Sequence, residues 1–393
     1  MIRIKLWLLL CAGLCGLTAC DIQDNRIEPG ERFSRIYDTG EYERAYYAVD
    51  VAPTADSGFI VLGAAEVDFS DFYGLYLLKI DKEGFPEWQY LASSDYVHPL
   101  GFLSDGANNL QVVCMDATGL YPLVLTVAPE PALVAAYPSV EYPLAFSRLN
   151  DGRLAFLAYD RVGRNSVVAF SDDTRQTFPI YEDVEALIFQ HISRRGQQFP
   201  FFIGQTPTGQ IFFNGFNNYT LALTFLDAGG SQTGVVNGTR YEAGMSACVA
   251  LPQSNRFSIA RFSEDGRTYF APSVSIDPNA VSSSSNLKGY LIQELSPKAG
   301  VRLLHTEAGG LPVVLYLSST QNGQIALYAY DAEGGQLLGT RYFGHGNRFE
   351  AGAMCRTPDG GLLITGRVWM AGRFARLCVF KLNEEDIRQL LQP

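Results

Sequence analysis

Short apolar runs recur along this chain, separated by clusters of Asp, Asn and Gly. The clearest pair lies near the two ends. Thr54-Ala-Asp56-Ser-Gly58 leads into Phe59-Ile-Val-Leu-Gly63 and then Leu77-Leu-Lys79-Ile-Asp81-Lys-Glu-Gly84. Thr357-Pro-Asp359-Gly-Gly361 leads into Leu362-Leu-Ile-Thr-Gly366 and then Val379-Phe-Lys381-Leu-Asn383. Apolar runs without alternation mark strands covered on both faces, and Asp-Gly pairs suit the backbone of tight turns. Each copy therefore predicts a strand, a tight turn, a buried strand closed by Gly, a variable loop, and a third strand ending in a charged turn.

Weaker copies lie between them, at Ser104-Asp-Gly106, Asn150-Asp-Gly152, Pro207-Thr-Gly209, Glu264-Asp-Gly266 and Gln321-Asn-Gly323. Third strands are expected to end near Asp81, Ala128, Ser171, Asp227, Ser296, Asp331 and Asn383, a mean step of about 50 residues. The steps on either side of Ser296 are uneven, so the phase is least determined from about 255 to 335. A lone four-stranded sheet cannot bury both faces and must stack on neighbours. The period thus predicts an all-β chain whose residues 31–393 form one β-propeller, of seven blades with four antiparallel strands each, six or eight remaining open. Phe33-Ser-Arg-Ile36-Tyr37 precedes the first turn as Thr340-Arg-Tyr342-Phe343 precedes the last. Residues 32–37 are accordingly expected to complete the final blade.

Composition agrees with many short strands: 47% hydrophobic, 18% charged, with 38 glycines, 25 phenylalanines and 21 tyrosines. The net charge of −11 would repel a polyanion, so no nucleic-acid partner is expected. Of seven cysteines, Cys114, Cys248, Cys355 and Cys378 lie beyond residue 20, in no metal-ligand spacing. Cys355 and Cys378 fall on first and third strands, about 10 Å apart, too far for a disulfide.

The first twenty residues differ from the rest. Arg3 and Lys5 precede an apolar stretch that ends at Leu17-Thr18-Ala19-Cys20. This is signal-peptide patterning, too short for a spanning helix. It resembles a bacterial lipobox, which implies a signal peptide over 1–19 and lipid on Cys20. Asp21, Asp24 and Glu28, with Glu31 directly after, make 20–30 read as an acidic tether. Acids after the cysteine resemble the surface-export signal of Bacteroidetes lipoproteins, whereas aspartate beside it resembles the inner-membrane retention signal of enterobacteria. The expected location is the cell envelope, on an outer-membrane lipoprotein, with its side left open.

The terminal copies resemble a bacterial propeller repeat of the type Asp-Gly-Gly, apolar strand, Gly, then Lys-x-Asp-x-x-Gly. Asp81 to Trp88 is similar to the tryptophan-docking motif of quinoprotein propellers, but only one copy has it, so no cofactor is expected. The Asp-Gly turns also resemble the Asp-box of sialidases, lacking its closing aromatic. His98, His191, His305 and His345 show no metal-ligand spacing, and no metal is expected.

Loops carry specificity in such folds. The best candidate is the acid- and aromatic-rich stretch containing Glu66, Asp68, Phe69, Asp71, Phe72 and Tyr73. Residues 276 to 288, with four serines, read as a mobile loop. Arg341, Arg348, Arg356, Arg367, Arg373 and Arg376 offer a second, basic candidate. The function expected is a lipid-anchored, non-catalytic scaffold that binds an envelope protein or a glycan. Its architecture and anchoring resemble the propeller lipoprotein of the outer-membrane β-barrel assembly machinery. The alternative is a glycan-active hydrolase or lyase with its site at the central channel mouth. Substituting Cys20→Ser should leave an unprocessed or mislocalised precursor, and an intact-mass measurement showing an unmodified N-terminus at another residue would contradict the lipid assignment.

Overall fold

The computed structural model describes residues 32–38, 44–68, 70–92, 94–104, 109–239, 243–253, 255–370 and 374–392. The expected signal peptide, Cys20, the tether, Phe69, the turn at Asp105 and Gly106, and Arg373 lie outside the described residues. Among the described residues the chain is all-β with two short α-helices, in six hydrogen-bonded sheets.

Phe33–Tyr37 forms β1. Tyr46–Pro53, Phe59–Ala65, Gly74–Ile80 and Pro86–Leu91 form β2 to β5, and Tyr96–Ser104, Leu110–Asp116, Pro122–Thr126 and Leu133–Ala136 form β6 to β9. These eight strands share one sheet, yet they are two antiparallel meanders joined at one residue pair, Gly74 with Val97. Pro143–Arg148, Leu154–Asp160, Asn165–Phe170 and Arg175–Pro179 form β10 to β13, followed by helix α1, Glu185–Ile192. Phe202–Gln205, Ile211–Asn217, Thr220–Leu226 and Gln232–Asn237 form β14 to β17. Gly244–Ala250, Arg256–Phe262 and Thr268–Ser275 are β18 to β20, with Val281–Ser283 as β21 and Tyr290–Ile292 as β22. Arg302–Ala308, Leu311–Ser319, Ile325–Asp331 and Leu337–Phe343 are β23 to β26. Phe349–Arg356, Leu362–Met370 and Phe374–Leu382 are β27 to β29, before helix α2, Glu384–Leu390.

The first strands of these groups touch in cyclic order: β2, β6, β10, β14, β18, β23, β27 and β2 again. They surround a common axis. Burial follows the radius. The second and third strands are covered on both faces, as in β3 and β4, where every residue is buried. Outer strands differ: β5 has no buried residue and β13 is mostly exposed. That gradient explains why the middle strands read as unbroken apolar runs.

β1 pairs antiparallel with β29, Phe33 opposite Lys381 through Tyr37 opposite Leu377, and completes a four-stranded sheet with β28 and β27. The expected completion of the last sheet by residues 32–37 is present. A core cluster ties the two ends further, packing Tyr46, Phe59 and Tyr76 with Leu363 and Val379.

The end-copy pattern has a local cause. In the first turn Thr54 Oγ1 donates to Asp56 Oδ1 at 2.5 Å, and buried Lys79 of β4 reaches Asp56 Oδ2 at 2.9 Å and Glu87 at 2.7 Å. The Thr54 and Lys79 hydrogen bonds hold the Asp56 carboxyl down at about 2. A Cβ on Gly58 would stand 2.5 Å from both Ile80 O and Lys79 Nζ. The last turn repeats this, with Thr357, Asp359 and Lys381 joined and Gly361 against Leu382 O. Threonine, aspartate, glycine and lysine are one bonded unit spanning first, second and third strands.

Two expectations need correction. The third strand expected to end near Ser296 is β20, which ends at Ser275, so third-strand ends fall 44 to 56 residues apart throughout. The turns at Gly266 and Gly323 misled the phasing, because they join second to third strands and not first to second. Residues 276 to 288 are also not a free loop: β21 pairs parallel with β17 of the preceding sheet and covers its edge. Cys114, Cys248, Cys355 and Cys378 are all free thiols, and β28 lies between the strands of Cys355 and Cys378.

Deleting residues 32–37 would expose the edge of β29 and the apolar surface around Leu377 and Val379, so the melting temperature should fall sharply. A deletion variant that melts with wild type would contradict this closure.

Candidate functional site

The ends of the first strands, the loop between β3 and β4, and the 180–201 connection meet at one end of the axis. α1 forms because Ile188 and Ile192, one turn apart, bury on one face and Glu185 occupies the first turn. The helix ends at Ser193, and Arg194 follows with φ of 55°, its N–H bonded to His191 O. His191 Nδ1 accepts the Phe199 N–H at 3.0 Å, which folds the returning chain under the helix. Its proton therefore sits on Nε2.

This connection leaves from between β13 and β14 but reaches strands across the ring. Phe189 meets Phe72 at 5.7 Å between ring centroids, His191 meets His98 of β6 at 6.0 Å, and Arg195 bonds Asp71 and Ser70 O, each at 3.1 Å. The Arg194 guanidinium lies 5.6 Å from the Tyr47 ring centroid, on β2. The connection and the loop before β4 clasp each other over the axis.

Tyr47 is the hub. Its ring stands edge-on to Tyr73 at 5.0 Å, and Arg367 of β28 lies over it at 3.9 Å. Arg367 Nε donates to Glu350 Oε2 at 2.7 Å, Arg348 bonds the other oxygen at 2.7 Å, and both guanidiniums also lie over Trp369. Deeper along the axis, Asp50 receives the N–H groups of Val51 and Phe102, each at 2.8 Å. Arg302 of β23 donates from Nε to Gly352 O at 3.0 Å. Register shifts in β2, β6, β10, β18 and β27 re-aim side chains along these first strands.

Burial sets the protonation. It lowers His191 to about 3, with Arg194 adding to the shift, and holds His98 well below the usual histidine range. It raises Tyr73, reinforced by Tyr47. It raises Asp50 against its two N–H donors and Arg302. It lowers Arg194 to about 10, with Arg302 and Arg367 pushing the same way and Tyr47 opposing.

The six residues of the sequence-predicted loop divide. Glu66, Asp68 and Asp71 are exposed, Asp68 beside Arg44 at 3.4 Å and Asp71 on Arg195. Tyr73 is half-buried at the site. Phe72 is not a contact group: at 9% exposed it belongs to the core, because Phe189 and the close approach of Gly119 enclose it. The arginine group is dispersed among partners, Arg341 on Asp386 at 2.9 Å, Arg376 near Asp38 at 3.5 Å, and Arg348 with Arg367 on Glu350. Arg356 has a buried Nη1 without a hydrogen-bond partner among the described residues. Sequence reasoning missed Tyr47, Asp50, Arg194, Arg302 and Glu350, which share no motif. Among the described residues no group of three or more His, Cys, Asp or Glu side chains is placed to hold a metal, and no helix is long and apolar enough to cross a membrane.

The all-β fold is shared with β-propeller proteins. A catalytically inactive virginiamycin B lyase from Staphylococcus aureus, solved with quinupristin, aligns over 90% of this chain and 100% of its own, at 9% identity and a TM-score of 0.52. A streptogramin B lyase aligns over 90% of this chain and 98% of its own, also at 9% identity and 0.52. The Dos1 propeller aligns over 90% and 95%, at 12% identity and 0.47. At 9% identity the two lyase alignments speak for fold and not for chemistry. No protein-family model matches the chain, and no curated protein sequence matches it.

Replacing Phe72 by Ala should destabilise the fold by about 3–5 kcal/mol, the range for a buried phenylalanine. A thermal or denaturant melt reads this, and an unshifted midpoint would return Phe72 to the contact surface.

Proposed function

We propose that this chain is a seven-bladed propeller, tethered to the cell envelope through lipid on Cys20, that acts as a non-catalytic binding scaffold for a protein or glycan. The eight-stranded sheet is read as two blades, since one residue pair joins its halves and third strands then recur at near-even steps. Its recognition end is the axial mouth formed by Tyr47, Tyr73 and the 180–201 connection.

One observation carries the binding reading: the groups packed at the 180–201 connection, His98, His191, Tyr73 and Arg194, are held away from neutral pH. A general acid or base works best with a pKa near the working pH. His191 at about 3 is a poor base, Tyr73 is held protonated, and Arg194 at about 10 stays cationic. These groups offer fixed charge and hydrogen bonds, which suit holding a ligand. The lipid anchor and envelope location rest on the N-terminal pattern alone.

Capture from the native membrane with the tagged lipoprotein, wild type and Tyr73→Ser side by side, tests the reading. The variant should remain folded and lose the protein or glycan that wild type retains. Equal capture by both would move recognition off the axial mouth, and turnover of a captured glycan by the purified protein would contradict the non-catalytic assignment.

A further inference from the structure

Arg194 is half-buried, yet among the described residues its side chain makes no ion pair and no hydrogen bond. Its Nε is buried without a partner, and its contact is the Tyr47 ring. The other axial arginines differ. Arg367 is neutralised by Glu350, and Arg302 is bonded to Gly352 O and opposed by Asp50. The carboxylates nearest the mouth are committed or distant: Asp71 holds Arg195, Glu350 holds two arginines, and exposed Glu66 acts on Tyr73. Among the described residues Arg194 has neither a counter-charge nor a hydrogen bond of its own, while Arg348 and Arg367 share the one Glu350 carboxylate. A guanidinium held half-buried in this mouth without a counter-charge of its own is a place where an anion gains a charge-assisted contact and, by binding, stabilises the fold.

We infer that Arg194, with Arg302 deeper on the axis and Tyr47 and Tyr73 beside it, receives a single carboxylate from a ligand entering the axial mouth. This rests on the axial mouth being the recognition end. The charge selects the ligand class. The Arg194 guanidinium, without a counter-charge of its own, matches a monoanion. A planar guanidinium also takes a carboxylate through two parallel N–H···O bonds. The carboxylate can come from a sugar acid or from a peptide C-terminus.

Titration calorimetry of the full lipoprotein in detergent, using glucuronate, N-acetylalanine, glucuronamide and inorganic phosphate, tests this. One or both carboxylates should saturate wild type, glucuronamide should not bind, and phosphate should bind more weakly than the carboxylate. The tighter of the two carboxylates identifies the source. Arg194→Gln should weaken carboxylate binding at least tenfold while its ligand-free melting temperature stays level or rises, because an unpaired charge has been removed. Should Arg194→Gln fail to fold, the comparison of glucuronate with its amide on wild type still decides. Neither carboxylate saturating, equal binding of the amide, tighter binding of phosphate, or unchanged binding by a folded Arg194→Gln would each overturn the inference. Membrane capture lost in Tyr73→Ser but kept in Arg194→Gln would overturn the carboxylate while leaving the recognition end intact.

Discussion

The pairing of β1 with β29 is the constraint on which the rest depends. Each sheet is open, and the ring exists because its first strands touch in cyclic order and the last returns to the first. Strand edges are costly in both stability and aggregation. Joining Phe33–Tyr37 to the strand that carries Lys381 links the beginning of the described chain to its end, so the first and last sheets cannot separate without breaking five residue pairs. The cluster of Tyr46, Phe59, Tyr76, Leu363 and Val379 buries apolar area across that same seam. Hydrogen bonds set the register there, and burial supplies the larger stabilisation.

A closed ring gives the axis its properties. First strands from different sheets hold Tyr47, Asp50, Arg302 and Glu350 around one line, and their surroundings raise Asp50 and lower Arg302 from their ordinary pKa values. The connection carrying α1 crosses this ring and delivers Arg194 to a place no blade strand occupies. Its position is secured at several points: Phe189 on Phe72, Arg195 on Asp71, and His191 on the Phe199 N–H. The loop before β4 therefore belongs to the site as a clasp as well as a wall, and only part of its aromatic surface is available to a ligand.

Local bonding decides how much of this was legible in the sequence. Thr54, Asp56, Gly58 and Lys79 bond one another within a single unit, so the pattern repeats at Thr357, Asp359, Gly361 and Lys381 and can be read directly. Burial on both faces likewise shows as unbroken apolar runs. The phase failed near Ser296, because turn residues at Gly266 and Gly323 are equally suited to either kind of hairpin. The axial cluster was not legible at all. Tyr47, Arg194, Arg302 and Arg367 come from separate elements, and only closure of the ring makes them neighbours. Phe72 was misread for a related reason, since its covering partner Phe189 lies far along the chain.

Hydrogen exchange at the β1 amides tests the closure most directly. If β1 is an integral strand of the ring, the amides of Ser34 to Ile36 that bond into the β29 ladder exchange only through the same global opening that releases β28 and β29. Exchange of β1 through local fraying, orders of magnitude faster than β28, would contradict the account and with it the fixed axis on which the site stands.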